Sequence, residues 1–295
     1  MSDTLESLQR RKQSAGELAS VVRTMKAMAA SNINQYEMAV KSLQDYYRTI
    51  SLGINACFRN KRLLISPSGK IEKNKILTVA IVFGSDQGLV GTFNDILSTF
   101  VQQTLQNIPG KKETWAVGER VYSRLEDAGL SPNKLFNVPN SVTAITPLVN
   151  DILLNSEEYR ESNQLYSLYI FHNSPLKGEG YQQESQRLFP LDKKWEQEIT
   201  KLQWPAKNLP QVIGGTESAL HALIKEYLFV SIYKACAESL ASENASRLAA
   251  MERAEQNIDD ILDDLKQNYN RIRQSTIDEE LFDVIAGFEA LKDRQ

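Results

Sequence analysis

The sequence of 295 residues has few of the residues that carry catalytic and metal chemistry. It contains two cysteines, Cys57 and Cys236, and two histidines, His172 and His221. The cysteines form no CxxC pair and no metal-binding spacing, which is typical of buried thiols in a reducing compartment. Neither histidine has a cysteine or aspartate partner nearby in the sequence, so we expect both to be structural rather than parts of a zinc site or a triad.

Long apolar runs and a strong net charge are also lacking. No stretch of 18 apolar residues occurs, and the first residues, MSDTLESLQRRK, contain no apolar core of a signal peptide. We therefore expect a cytoplasmic chain that does not itself span a membrane. The net charge of −3 argues against nucleic acid as the main partner. Apolar residues make up 42% and charged residues 24%, which excludes wholesale disorder.

Proline is confined to the middle of the chain. All nine prolines lie between Pro67 and Pro210, and outside that window the only glycines are Gly16, Gly53, Gly214, Gly215 and Gly287. Because proline breaks helices and glycine weakens them, two long helical flanks should enclose a middle of different structure. We predict an N-terminal helix in residues 1–60, an α/β domain in residues 61–212 and a C-terminal helix in residues 213–295.

Both flanks carry a coiled-coil pattern. In the first flank apolar residues recur every three or four positions, at Val22, Met25, Ala29, Ile33, Tyr36, Val40, Leu43, Tyr47, Ile50, Ile54 and Cys57. The second flank repeats the pattern at Met251, Ala254, Ile258, Ile261, Leu265 and Ile272. A mean spacing near 3.5 is typical of a left-handed coiled coil. Residues 1–60 hold eight basic and five acidic residues, while residues 216–295 hold nine and sixteen, so the two flanks should also attract each other.

The predicted helices differ in length. At the helical rise of 1.5 Å the first should span ~80 Å and the second ~110 Å, so the second extends past the first by several turns. Its last part, LFDVIAGFEAL, places apolar side chains around most of the helix: Leu281, Phe282, Val284, Ile285, Ala286, Phe288 and Leu291. A helix that is apolar nearly all round must be enclosed, and this chain has no spare domain to enclose it. Another protein should supply the socket.

The middle of the chain predicts a mainly parallel sheet. KILTVAIVF is a continuous apolar run that suits a strand buried on both faces. Further helices and strands alternate after it, ERVYSRLEDAG being a helix closed by Gly129, and QQESQRLFPL should be the outermost strand. This order predicts a small Rossmann-like domain between the two coiled-coil helices.

Two motifs in the sequence could suggest ligand sites. GSDQGLVG follows the first strand, where a dinucleotide fold holds pyrophosphate, but Gly84, Gly88 and Gly91 do not fit the GxGxxG spacing and Asp86 would repel phosphate. We interpret these four residues as a structural turn. DDILDDL carries four aspartates on a continuous helix, which offers no backbone carbonyls to calcium, so we interpret it as a solvated face.

The second flank resembles the C-terminal signature of the gamma subunit of F-type ATP synthases. The matching residues are Glu243, Arg247, Ala250, Met251, Ala254, Asn257, Tyr269, Asn270, Arg271, Arg273, Gln274, Ile277, Glu280, Leu281 and Gly287. FGSDQGLVGTFN and TMKAMAAS resemble two further motifs of that family, in the same order along the chain. The resemblance therefore covers both ends and the centre.

The resemblance implies a mechanical part rather than an enzyme. In the family the coiled coil is a rotor shaft inside a ring of three alpha and three beta subunits, and its base rests on the epsilon subunit and the membrane ring of c subunits. It implies no catalytic residue, cofactor or metal site in this chain. Arg273, Gln274 and Met25 match positions that contact a beta subunit, and Leu281, Phe282, Ile285 and Phe288 match the end that turns in an apolar sleeve. The implied location is peripheral, on the cytoplasmic face of an energy-transducing membrane.

Some residues depart from the family pattern. Gln87 replaces a basic residue, Thr92 a glycine and Asp278 a threonine. These changes are typical of a divergent branch, such as a sodium-coupled synthase. Two other classes of protein stay open at this stage: a coiled-coil scaffold that does not rotate, and a nucleotide-binding module.

Overall fold

The computed structural model describes residues 4–60, 76–161, 166–176, 180–191, 193–208, 210–213 and 215–292. Two long helices lie at the ends of this described chain, α1 (Leu5–Asn60) and α6 (Thr216–Lys292). The elements between them are β1 (Leu77–Phe83), α2 (Phe93–Gln106), β2 (Lys111–Val117), α3 (Glu119–Asp127), β3 (Pro132–Phe136), a 3₁₀ turn (Val142–Ala144), α4 (Ile145–Glu161), β4 (Tyr166–Pro175), β5 (Tyr181–Phe189) and α5 (Lys193–Thr200).

The chain divides into two compact units. Residues 1–29 with 248–295 form one, called here the helical unit, and residues 30–247 form the other, the α/β unit. Both units contain parts of α1 and α6. The domain boundaries expected near residues 60 and 212 stay a prediction, because the compact units divide the chain inside the two long helices.

The α/β unit is built on a five-stranded sheet in the order β3-β2-β1-β4-β5. β3, β2, β1 and β4 are parallel, which confirms the predicted mainly parallel sheet. β5 lies at one edge, as the sequence predicted, and pairs antiparallel with β4. Every residue of β1 is buried. Its side chains alternate: Val79, Ile81 and Phe83 contribute to the core on one face, and Ala80 and Val82 to the core with α2 and α3 on the other.

Parts of the two long helices complete the core of the α/β unit. Ile50 and Ile54 of α1 pack with Tyr227 and Val230 of α6. Nearer the start of α1, Tyr36 lies in a core cluster with Ile232 of α6 and with residues of β1.

In the helical unit α1 and α6 run antiparallel. Ala19 and Val22 of α1 pack with Met251 and Ile258 of α6, and Met25 packs against this cluster. A groove nearer the start of α1 is lined by Arg10 and Arg11 on one side and by Asp264, Leu265 and Asn268 on the other. Residue numbers thus fall along one helix as they rise along the other, which confirms the predicted antiparallel helix pair.

The sequence pattern wrongly assigned one residue to the face of α6 that packs against α1. Ile261 is 51% exposed, and its neighbour Leu262 packs against the cluster of Met251 and Ile258 instead. The step from Ile258 to Leu262 is four residues, which keeps the side chain on the same face of an α-helix. Two short elements, β3 and α5, were not predicted at all.

Candidate functional site

The loop after β1 is a turn built around the side chain of Asp86. One carboxylate oxygen accepts the backbone N–H of Glu119, 3.0 Å away, and the other accepts that of Val138 at 3.1 Å. Glu119 is the first residue of α3, so the carboxylate caps that helix. A dinucleotide fold would hold pyrophosphate at the start of α2, the helix that follows β1, and the fixed negative charge of Asp86 in this loop disfavours a phosphate there.

In this loop, neighbouring side chains pack closely against Gly84 and not against Gly88. A Cβ atom at Gly84 would lie 2.2 Å from Cβ of Val121 and 2.8 Å from Oδ1 of Asn94. Around Gly88 the nearest atom is Nη2 of Arg120, 3.8 Å away, and the φ of Gly88 lies outside the left-handed region. Within the predicted turn, Gly88 is therefore neither closely packed nor left-handed. The left-handed residues of the loop are Leu89 (φ 61°) and Gly91 (φ 58°).

Three serines of α6 hold the ends of two central strands and the loop after β1 within the α/β unit. The hydroxyl of Ser239 donates to the carbonyl of Phe83 at 2.9 Å, and that of Ser242 to the carbonyl of Asn173 at 3.0 Å. The hydroxyl of Ser246 donates to the carbonyl of Val90 at 2.6 Å. Spacings of three and four residues place the three hydroxyls on one face of α6. They fix this helix to the sheet and to the loop.

A buried ion pair lies on α6 between these serines. Arg247 donates from Nη2 to Oε1 of Glu243, 2.7 Å away, and both side chains are largely buried. Burial raises the pKa of Glu243 above its usual range; Arg247 acts in the opposite direction, and the charge of Asp86 adds to the increase. The two residues that match the family signature here thus have a structural role beside the loop.

An exposed cluster of charges joins the two helices of the helical unit. Nε of Arg23 donates to Oε1 of Glu255 at 2.9 Å, and Nζ of Lys26 donates to Oε2 at 3.1 Å. Lys26 also lies 3.7 Å from Glu252, and Arg23 lies 3.8 Å from Asp259. The hydrogen bonds from Arg23 and Lys26 lower the pKa of Glu255. The predicted attraction between the two flanks is thus confirmed, although the sequence did not indicate which residues pair.

Of the three residues matched to the beta-subunit contact, two are exposed and one lies in the seam. Met25 is half-buried against the cluster that contains Met251. Arg273 and Gln274 are exposed, and neither side chain has a hydrogen bond or ion pair within the described part of the chain. Arg273 follows Met251 by 22 residues on the same helix, about 33 Å at the helical rise. The structure therefore does not bring Met25 together with the other two.

The last turns of α6 continue past the start of α1. The pairing of Lys26 with Glu252, extended along the antiparallel helices, places Leu5 opposite about Arg273. From residue 277 to residue 286 every described side chain is exposed. Large apolar side chains are among them: Ile277 (51% exposed), Leu281 (57%), Phe282 (69%), Val284 (70%) and Ile285 (46%). We call residues 277–286 the apolar end. The side chain of Phe288 lies outside the described residues.

Comparison with known proteins agrees with this architecture. The sequence model of a family described as ATP synthase matches residues 4–291. The ATP synthase gamma chain of Lachnoclostridium phytofermentans is 25% identical over 98% of this chain and 99% of its own length. That of Buchnera aphidicola is 28% identical over 92% of each chain.

Solved structures share the fold. A chain of the mitochondrial ATP synthase of Euglena gracilis, in a structure that contains OSCP, F1 and the c-ring, aligns with 97% of this chain and 94% of its own length at a TM-score of 0.64 and 15% identity. A chain from the central stalk and c-ring of the Tetrahymena thermophila enzyme aligns with 79% of this chain at a TM-score of 0.56 and 19% identity.

These findings define the class as a non-catalytic subunit of an F-type ATP synthase. Within that class, the chain belongs to the family of ATP synthase gamma chains, which form the central stalk. In the described residues, no helix is both long enough and apolar enough to cross a membrane.

Proposed function

We propose that this chain is the turning shaft of an F-type ATP synthase, coupling ion flow through the membrane sector to ATP synthesis or hydrolysis in the catalytic head. The observation that carries the proposal is the apolar end. α6 extends past the start of α1, and its last described side chains include five large apolar ones that are exposed. A helix of this kind needs an apolar enclosure, and a ring of three alpha and three beta subunits supplies one.

The proposed partners follow from the same assignment. The apolar end enters the head, and the α/β unit is the base that contacts the epsilon subunit and the ring of c subunits. The chain then lies peripherally on the cytoplasmic face of the membrane and associates with it only through these partners. A solved relative from Tetrahymena thermophila is described as part of a central stalk with a c-ring, which supports this arrangement.

Torque passes through side chains that are exposed or lie at the seam. Arg273 and Gln274 are free to contact a partner, and a guanidinium beside an amide can grip a carboxylate and its backbone. By the family match Met25 faces an acidic lever of the beta subunit, while the neighbouring Arg23 and Lys26 are already paired with Glu255. A contact that is made and broken in each rotation must be weak. Exposed polar and charged groups form such weak contacts, because water competes for them.

The two alternative functions have less support. A nucleotide-binding module would need a loop after β1 that accepts phosphate, and that loop carries the negative charge of Asp86, fixed by hydrogen bonds to Glu119 and Val138. A scaffold that does not rotate would have no need for a long apolar helix end that stays exposed among the described residues.

Rotation can be tested with a single introduced thiol. Cys57 and Cys236 are both buried, so Lys112→Cys, at an exposed position of β2, would be the reactive cysteine of the chain. The variant is assembled with alpha and beta subunits, the beta subunits are fixed to glass, and a bead is attached to the thiol. We expect ATP to turn the bead in one direction. A bead that stays still while the same complexes hydrolyse ATP would favour the scaffold.

A further inference from the structure

A histidine and two glutamates from three different elements converge in the α/β unit. His172 lies on β4, Glu184 on β5 and Glu238 on α6. His172 and Glu184 are paired across the antiparallel strands, which places both side chains on the same face of the sheet. One ligand atom from each of the three residues lies within 4.8 Å of the corresponding atoms of the other two.

The charges of this cluster are poorly balanced. Nε2 of His172 lies 2.9 Å from Oε2 of Glu238, and the other oxygen of Glu238 lies 3.6 Å from Nζ of Lys234. Two carboxylates at this separation repel each other unless a cation lies between them. Lys234 reaches only one side of the cluster and is half-exposed. His172 is 2% exposed, and its second ring nitrogen, Nδ1, has no hydrogen-bond partner among the described residues.

Solvent reaches the cluster from both sides. Glu184 lines a hollow with Tyr47 and Lys234, and Glu238 lines a second hollow with Glu37 and Lys41. Val40 and Gln44 border both hollows, so the two adjoin. A small hydrated ion could enter here and keep a water molecule as a further ligand.

We propose that His172, Glu184 and Glu238 form a binding site for a divalent transition-metal ion, with Zn²⁺ the best fit. Zn²⁺ accepts both imidazole nitrogens and carboxylate oxygens, and at sites with three protein ligands it completes its tetrahedron with water. The ion replaces the hydrogen bond between His172 and Glu238, and the flexible side chain of Lys234 turns toward solvent. The ligands come from α6, β4 and β5, so the ion clamps the long helix to the edge of the sheet.

Equilibrium dialysis against Zn²⁺ tests the site in the assembled complex with alpha and beta subunits, because assembly itself shows that each variant folds. Glu184→Gln removes a ligand from the half-buried side of the edge strand. Glu37→Gln removes the same charge from the border of the second hollow without removing a ligand. We expect the parental complex and Glu37→Gln to bind one more Zn²⁺ at low free metal than Glu184→Gln, whose affinity for that ion should fall roughly tenfold or more.

His172→Gln should lose the same ion, and X-ray absorption of the parental complex should show one imidazole among its ligands. Equal Zn²⁺ binding by the parental complex and Glu184→Gln would overturn the proposal, and so would an ion that survives His172→Gln. Neither result depends on rotation, so the site and the proposed function can fail separately.

Discussion

At the scale of single residues, the loop after β1 depends on the missing side chain of Gly84. Gly84→Ala would place Cβ 2.2 Å from Cβ of Val121, so α3 or the loop must move. We expect a loss of about 1–3 kcal/mol in the free energy of unfolding, as for other overpacked sites. Gly88→Ala is the control, since nothing lies within 3.8 Å of its new atom. Its effect should stay within about 0.5 kcal/mol.

Urea denaturation of the two glycine variants measures this contrast, with both made in a chain that also carries Leu281→Gln, Phe282→Gln and Ile285→Gln to prevent aggregation through the apolar end. A larger loss for Gly88→Ala than for Gly84→Ala would mean that the loop is held differently from the structure described above. The sequence did predict a turn here, because glycines follow a buried strand. Which glycine is constrained depends on α3, which reaches the loop from 30 residues further on, and no local pattern encodes that.

Arg273 and Gln274 provide a second test at the residue scale. Both are exposed and have no partner in the described part of the chain, so Arg273→Ala with Gln274→Ala should leave folding and assembly unchanged. We expect a lower ATPase rate and slower ion pumping in the assembled motor, because a contact with the beta subunit is lost. Lys266→Ala with Gln267→Ala is the matched control: it removes the same charge and amide two turns earlier on the same helix face.

Rates measured on the same preparations decide the role of this contact. If both double variants slow the motor equally, the general charge of α6 matters and the contact at Arg273 does not. Unchanged rates for both would leave the shape of the helix pair to transmit the torque.

At the scale of elements, the helical unit is joined by the charges around Glu255. The pKa of Glu255 is lowered in the folded protein by hydrogen bonds from Arg23 and Lys26. Its contribution to stability is therefore present above the pKa of an unfolded glutamate, about 4.3, and is lost as the pH falls through the lower folded value. We expect Glu255→Gln to speed amide hydrogen exchange in residues 248–262 at pH 7 in low salt, and this effect to shrink once the pH falls below the folded pKa of Glu255.

Asp263→Asn is the control for this charge cluster. It removes an exposed carboxylate from the same helix, and Asp263 has no ion pair in the described residues. The difference between the two variants should shrink in 1 M salt, since the Debye length there is only about 3 Å. A difference that persists in 1 M salt would assign the effect to packing instead of charge.

The elements also show what the sequence could and could not predict. The two long helices were predictable because proline is absent from them and their apolar residues recur at coiled-coil spacing. Strand β1 was predictable because both of its faces are buried. β3 was missed because it is a short edge strand of five residues that begins with proline. The error at Ile261 arose because two adjacent apolar residues, Ile261 and Leu262, both fit the spacing, and only the partner helix decides between them.

The candidate site also has parts that the sequence could predict and parts that it could not. The apolar end was predictable from composition alone, since LFDVIAGFEAL is apolar nearly all round the helix. The pairing of Arg23 and Lys26 with Glu255 was not, because it joins residues more than 200 positions apart in the sequence. The cluster of His172, Glu184 and Glu238 escaped notice for a similar reason, since its three ligands come from separate elements.

At the scale of the whole molecule, the apolar end should decide how the isolated chain behaves. Its large side chains are between 46% and 70% exposed and lie within ten residues of one helix. A contiguous apolar patch of this kind is rare on soluble monomers and promotes association. We therefore expect the chain alone to aggregate, and to become stable when alpha and beta subunits enclose the patch, because a partner that binds only the folded state stabilises it.

A triple substitution separates the apolar end from other causes of aggregation. Leu281→Gln, Phe282→Gln and Ile285→Gln in one chain should yield a dispersed monomer in light scattering and should weaken assembly with alpha and beta subunits. Leu154→Gln is the control, since Leu154 is 64% exposed but lies on α4, away from the apolar end in the sequence. Because one apolar side chain alone forms no large patch, this change should alter neither property. A parental chain that stays monomeric and gains no stability from alpha and beta subunits would contradict the role given to the apolar end. The shaft would then have to be held in the head by the charged and polar residues of the helical unit.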